Sequence, residues 1–142
     1  SDKDGAELAM IPIKNETAKV TAYYDNGKIS RAYELINGKY VGSYKTYYYS
    51  GQICKESEHE NGEYQGPSTS YYANGNIKDE KHYLGGVLDG KATKYYEDGT
   101  LREEALYKGG FQTGSASYYS KAGKKTKSED YFNGKIYSQK TF

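Results

Sequence analysis

The stretch Gly85-Gly86-Val87-Leu88-Asp89-Gly90-Lys91-Ala92 falls one residue short of the phosphate-cradling pattern G-x-x-x-x-G-K-[ST]. That pattern works because glycine lets backbone N–H groups close round a phosphate while the lysine and a hydroxyl complete the site. Here Ala92 stands where the hydroxyl belongs, and Asp89 would repel the phosphate. No helix is expected to follow, so no helix N-terminus favours an anion. Other reactive side chains are few: His59, His82 and a single thiol, Cys54. On a strand, Cys54 and His59 have opposite parity and face opposite ways. His59 and His82 also face opposite ways if the chain repeats every 24 residues, because they are 23 apart. A shared zinc site or a Cys-His nucleophile is therefore disfavoured. The acidic groups Glu56, Glu58, Glu60 and Glu103-Glu104 read as a solvated charged face, with no apolar pocket to perturb a carboxylate. The expectation is no catalytic residue, no metal and no cofactor.

The elements that must carry these residues follow from composition and spacing. Only 35% of the 142 residues are hydrophobic, and much of that share is 19 tyrosines, so aliphatic side chains are too scarce for a thick two-layer core. Disorder is not the alternative, because disordered chains lack aromatics and carry a large net charge, whereas this one is +1. The same near-neutrality argues against nucleic acid as a partner. No apolar run approaches the roughly 18 residues of a membrane span. The expectation is a soluble chain, exported or in the cell envelope if a signal peptide preceded Ser1 and cytoplasmic otherwise.

Self-similarity organises almost everything else. Gly27, Gly51, Gly75, Gly99 and Gly123 are each 24 residues apart, as are Gly38, Gly62, Gly86, Gly110 and Gly134. A third set is Gly42, Gly66, Gly90 and Gly114. Tyrosine fills Tyr23, Tyr47, Tyr71, Tyr95 and Tyr119, and its neighbour column runs Tyr24, Tyr48, Tyr72, Tyr96, Ser120. Glycine-bearing turn dipeptides alternate at 11 and 13 residues, which leaves strands of about 7 to 9 residues. The fold class predicted is all-β. About five tandem 24-residue β-hairpin units form an elongated, twisted, single-layer antiparallel meander of ten or eleven strands. The domain spans residues 20–142, and residues 1–19 are an N-terminal cap or a disordered segment.

If every Asn-Gly is a two-residue loop, residue 24 faces 29 and residue 35 faces 40, as in Tyr24/Ile29 and Leu35/Tyr40. Both sets then lie on one face, predicted to be packed and to line the inside of the curve. Tyr23 and its equivalents lie on the other face among charged residues and threonine. The third glycine set falls inside a strand, where glycine is unfavourable unless it serves a bend or bulge.

The segments YYDNGKI…INGKYVG, YYSGQI…ENGEYQG, YYANGNI…LGGVLDG and YYEDGTL…KGGFQTG resemble the bacterial variant of the MORN-repeat (membrane occupation and recognition nexus) family. The likeness covers about residues 20–137. Ser68, Ala92 and Ala116 depart from the aromatic seen at Tyr44, and the fifth unit degrades at Ser120 and Lys125. The resemblance implies a repeat scaffold acting by contact. In relatives this means protein scaffolding, lipid head-group contact or, for some bacterial variants, an antitoxin role. It also implies that the repeats are not the catalytic portion of proteins that carry them.

The functional expectation is a non-enzymatic module binding an unknown protein or peptide. The candidate contact residues are Tyr23, Tyr47, Tyr71, Tyr95 and Tyr119, since tyrosine offers a large flat surface at low rotamer cost. A free sheet edge is the other candidate surface. Weak contact with anionic lipid ranks lower, because the column Arg31, Lys55, Asp79, Glu103, Lys127 mixes signs.

Overall fold

The computed structural model describes residues 17–142. These residues form β1 (Thr17–Tyr23), β2 (Ile29–Ile36), β3 (Lys39–Tyr47), β4 (Ile53–Glu60), β5 (Glu63–Tyr71) and β6 (Ile77–Leu84). They continue as β7 (Val87–Leu88), β8 (Gly90–Tyr95), β9 (Leu101–Lys108), β10 (Phe111–Tyr119), β11 (Lys125–Phe132) and β12 (Lys135–Thr141). Each strand pairs antiparallel with its sequence neighbour in one open sheet, and no helix occurs among the described residues. β7 and β8 both pair with β6 and are halves of one ribbon interrupted at Asp89. The path therefore has eleven ribbons. Of the N-terminal segment, Thr17–Lys19 belong to β1, and the remainder lies outside the described residues.

The two turn columns fold differently. In the second column both central residues have positive φ: Asn37 at 53° and Gly38 at 78°, and Gly85 at 58° and Gly86 at 86°. These are two-residue loops, and Leu35 faces Tyr40 as the spacing predicts. In the first column only the glycine is left-handed, as at Gly75 with φ 91°. Gly75 N–H donates to the Tyr72 carbonyl (2.9 Å), and Tyr72 N–H donates to that of Asn76 (2.8 Å). The loop is thus three residues long, a turn closed by a left-handed glycine. The predicted Tyr24/Ile29 register is corrected accordingly: Tyr23 pairs with Ile29, and the equivalents Tyr47, Tyr71 and Tyr95 pair with Ile53, Ile77 and Leu101. A one-residue bulge beside each of these pairs absorbs the difference.

The third glycine column is a bulge, as expected. At Gly66, a step from Ser57 to His59 on β4 is matched by Ser68 to Tyr64 on β5, two residues against four. Gly66 has φ 93°, a region that side chains with a Cβ rarely enter.

Strand alternation sorts the side chains into two faces. One carries three lengthwise rows. The middle row includes Tyr33, Tyr44, Ser57, Ser68, Ala92, Ala105, Ala116 and Glu129. Among these, Ala116 is 0% exposed and Ser57 2%. A flat single sheet could not cover them; small residues are hidden because larger side chains on both flanks lean over them. One flank is aromatic: Tyr40, His59, Tyr64 and Tyr83 lie ring against ring, with His59–Tyr64 centroids at 4.5 Å and Tyr64–Tyr83 at 4.7 Å. Such pairs contribute about 0.5–1.5 kcal/mol each beyond area burial. This is the packed face, and it holds the Leu35/Tyr40 row as predicted.

Both margins of the sheet are tied from unit to unit. At one margin the hydroxyls of Tyr24, Tyr48, Tyr72 and Tyr96 donate to the carbonyls of Tyr47, Tyr71, Tyr95 and Tyr119, at 2.5, 2.6, 2.8 and 2.7 Å. At the other margin the turn glycines Gly62, Gly86, Gly110 and Gly134 donate N–H to the carbonyls of Tyr40, Tyr64, Leu88 and Gln112, at 2.8 to 2.9 Å.

The last unit replaces a small middle residue with Glu129, 5% exposed and 3.2 Å from Lys127 Nζ. A hydrogen bond from Tyr118 and the Lys127 ammonium hold its carboxyl below the ordinary value of 4.5, against the opposing cost of desolvation.

Three measurements test this account. Gly66→Ala has room for its methyl, since the nearest side-chain atom would lie 3.9 Å away, so its cost is backbone strain. Urea unfolding should show a loss of about 1–2 kcal/mol. Tyr72→Phe, which deletes one inter-unit bond, should cost about 1 kcal/mol with an unchanged denaturant slope. Because folding depresses the Glu129 value, its stabilisation is complete above about pH 4.5 and is lost as pH falls through the lower folded value. Glu129→Gln should therefore flatten the stability-pH curve below about pH 4.5 and leave its slope near neutrality unchanged.

Candidate functional site

The five sequence-predicted tyrosines share one column, at the ends of β1, β3, β5, β8 and β10. Strand alternation turns them to the face opposite the covered middle row. All five are half-buried. Tyr95 donates to Glu80 Oε1 (3.4 Å), and Tyr71 lies near Glu56, Glu80 and Lys45. Burial first, then the two glutamates, pushes the Tyr71 hydroxyl above its ordinary value, so it remains a neutral donor. Around this row stand charge pairs across neighbouring strands, such as Lys45–Glu56 and Lys91–Glu104, both at 3.5 Å. The outer face is a line of aromatic surfaces set among compensated charges.

The tandem tyrosines divide their work. In Tyr47-Tyr48, Tyr71-Tyr72 and Tyr95-Tyr96, the second member reaches forward to the backbone of the next unit. The carbonyl it binds belongs to the first member of the following pair. Each first tyrosine from Tyr47 to Tyr119 is therefore mounted on backbone clamped from the unit before. The first member can present its ring because the second one fixes its base.

The residues screened for chemistry take structural places. Gly86 N–H is committed to the Tyr64 carbonyl, and the Asp89 carboxylate accepts from Gly109 N–H of the next turn (3.1 Å). In the preceding unit Gln65 has the equivalent role, accepting from Gly85 N–H (2.8 Å). Lys91 pairs with Glu104 on the outer face, while Glu103 pairs with Lys94 on the packed face (3.7 Å). His59 lies on the packed face between Tyr40, Tyr44 and Tyr64. His82 lies on the other, its Nδ1 3.0 Å from the Lys91 carbonyl. Among the described residues, no three histidine, cysteine or acidic side chains gather closely enough to hold a metal ion. No helix among them is long and apolar enough to cross a membrane.

Sequence reasoning missed one feature, a recess of about 430 Å³ on the packed face, lined by Tyr40, Tyr44, Thr46, Lys55, Ser57, His59, Gly62 and Tyr64. It opens where the middle row drops from Tyr33 and Tyr44, stacked at 5.1 Å, to Ser57 and Ser68. The available signal was the single aromatic at Tyr44 against the small residues at the equivalent positions Ser68, Ala92 and Ala116. Burial first, and then the charge of Lys55, holds His59 below its ordinary value of 6.5, so the imidazole is neutral near pH 7.

No curated protein matches the chain significantly. A family model described as the MORN repeat variant matches residues 40–62, 64–84 and 88–108. Each matched segment is one hairpin built round a Tyr-Tyr turn: β3–β4, β5–β6, and the ribbon ending in β8 with β9. The hairpins β1–β2 and β10–β11 flank them with the same bulge beside the turn. The repetition of one hairpin, with its glycine turns and inter-unit tyrosine bonds, and the three matches in frame agree: residues 40–108 carry three repeats of the MORN repeat variant family.

Proposed function

We propose that this chain is a non-enzymatic scaffold that binds a protein or an extended peptide along its outer face, through Tyr23, Tyr47, Tyr71, Tyr95 and Tyr119. The observation that carries this reading is the clamp beneath the row, in which the carbonyls of Tyr47, Tyr71, Tyr95 and Tyr119 are each held by a hydroxyl from the preceding unit. A rigid base lowers the ordering cost that a binding surface incurs on association. Successive rings lie two strands apart, about 9.6 Å, close to the length of three residues of extended chain. A peptide laid across the strands meets one ring at every third residue. MORN repeats are associated with binding and scaffold roles, and this reading adds the surface and its spacing.

The lipid-contact alternative is weaker. Arg31, Lys55, Asp79, Glu103 and Lys127 lie in one row on the packed face and mix signs rather than forming a basic stripe. A toxin protein is one partner that the first reading accommodates.

Affinity capture from the source organism, followed by mass spectrometry, tests the proposal, with Tyr47→Ser/Tyr71→Ser/Tyr95→Ser as the control. The expected result is a partner retained by the parent chain and lost by the triple variant at unchanged circular dichroism. Equal capture by both chains would sink the site. Sedimentation with acidic vesicles, unaffected by the three serines, would transfer support to the lipid reading.

A further inference from the structure

The recess on the packed face combines three features that the fold itself does not require. Its floor is small, at Ser57, and its walls are the rings of Tyr40, Tyr44 and Tyr64. At one side Lys55 Nζ donates to the Tyr64 hydroxyl (3.2 Å) and lies 5.2 Å from that ring's centroid. Lys45, Lys91, Lys94 and Lys127 each make an ion pair, whereas Lys55 makes none among the described residues. Across the recess, His59 Nδ1 is buried without a hydrogen-bond partner among them. A buried polar nitrogen left unmatched is unfavourable, so a site that supplies its partner recovers that loss. The nearest carboxylate along the row, Asp79, is separated from Lys55 by Ser70 and stands beside Lys94 on β8.

We propose that this recess is a binding site for a carboxylate carried on an aromatic or apolar body. The carboxylate accepts from Lys55 Nζ and, once the covering tyrosine rings part, from His59 Nδ1–H in the tautomer that places the proton there. The flat body sits over Ser57 between the tyrosine rings. A volume of about 430 Å³ falls in the range of small-ligand clefts, which join apolar walls to a few convergent polar groups. The neutral imidazole suits this role, since it donates one hydrogen bond without competing with Lys55 for the charge. Two sources carry this chemistry: a free aromatic acid, and an acidic residue beside an aromatic one in a peptide. The site lies on the face opposite the Tyr47, Tyr71 and Tyr95 row and stands independently of the function proposed above.

The test is amide-resolved NMR of the full chain titrated at millimolar concentrations with phenylacetate, its neutral isostere phenylacetamide, and the peptide acetyl-Glu-Phe-Glu-amide. Expected are saturable shifts at Lys55, Ser57, His59 and Tyr64 with one or both carboxylate probes. Affinity should be weaker by about tenfold or more with phenylacetamide and in Lys55→Gln. Tighter binding of the peptide assigns the peptide source, and tighter binding of phenylacetate the free acid. Ser57→Val, which fills the floor, should block binding while the amide spectrum stays dispersed. The Tyr47/Tyr71/Tyr95 triple serine variant should bind as the parent does, which separates this site from the outer row. The proposal fails if neither carboxylate probe gives saturable shifts at these residues. It also fails if phenylacetamide binds as well as phenylacetate, or if Lys55→Gln leaves the affinity unchanged.

Discussion

A sheet one layer thick has no second layer to bury against, so each hairpin depends on what reaches across to its neighbour. In this protein that dependence concentrates at the two margins. A tyrosine hydroxyl crosses one margin and a glycine N–H the other, each ending on a carbonyl of an adjacent unit. Both acceptors occur at a fixed offset from their donors, so one 24-residue sequence rule satisfies every junction it meets. The ladder hydrogen bonds alone would leave the strip free to twist and slip. Ties at both edges remove that freedom, because a slip of one residue would break every tie together.

The packed face follows from the same constraint. Side chains there can be covered only by their own flanks, which favours small groups in the middle and broad ones at the edges. Ala105 and Ala116 are almost fully covered for this reason, while Tyr40, His59, Tyr64 and Tyr83 form the rim of the units before them. Where the middle row changes size, the flanking rings leave space above it, although Ser57 itself stays 2% exposed. Tyr44 gives way to Ser57 in a single step, and the recess at Lys55 is the result. Local chemistry on this fold thus arises where one unit departs from its copies, whereas recognition by repetition uses what the copies share.

The period, the antiparallel meander and the bulge at Gly42, Gly66, Gly90 and Gly114 were legible because glycine inside a strand has few other uses. The register at the Tyr-Tyr turns was not, since Asn-Gly occurs in both turn columns and suggested the same loop for each. The residue before the glycine separates them. The second column reads Asn37, Asn61, Gly85, Gly109, Asn133, all tolerant of positive φ, whereas the first contains Ser50 and Ala122. A turn type that needs two left-handed residues could not have filled both columns. Of the candidate surfaces, the outer tyrosine row was visible as a column in the sequence. The recess was not, because it comes from side chains on three strands, and from an abrupt change in size rather than a repeated residue.

The C-terminal unit shows the neighbour rule at its limit. Ser120 replaces the tyrosine that would tie this unit to another, so the series of hydroxyl bonds ends with Tyr96 and Tyr119. Glu129 takes the middle position and draws on Tyr118 and Lys127 from its own unit. Every residue of β12 is exposed, including Tyr137 at 71%, with Phe142 beyond it at 61%. Lys135 and Lys140 sit on that strand, and Lys140 lies 4.8 Å from the Phe142 ring. Charged side chains on an exposed edge oppose sheet-to-sheet pairing, so β12 discourages association along its edge. With every residue of β12 exposed, this hairpin should open before the middle units that carry Tyr47, Tyr71 and Tyr95.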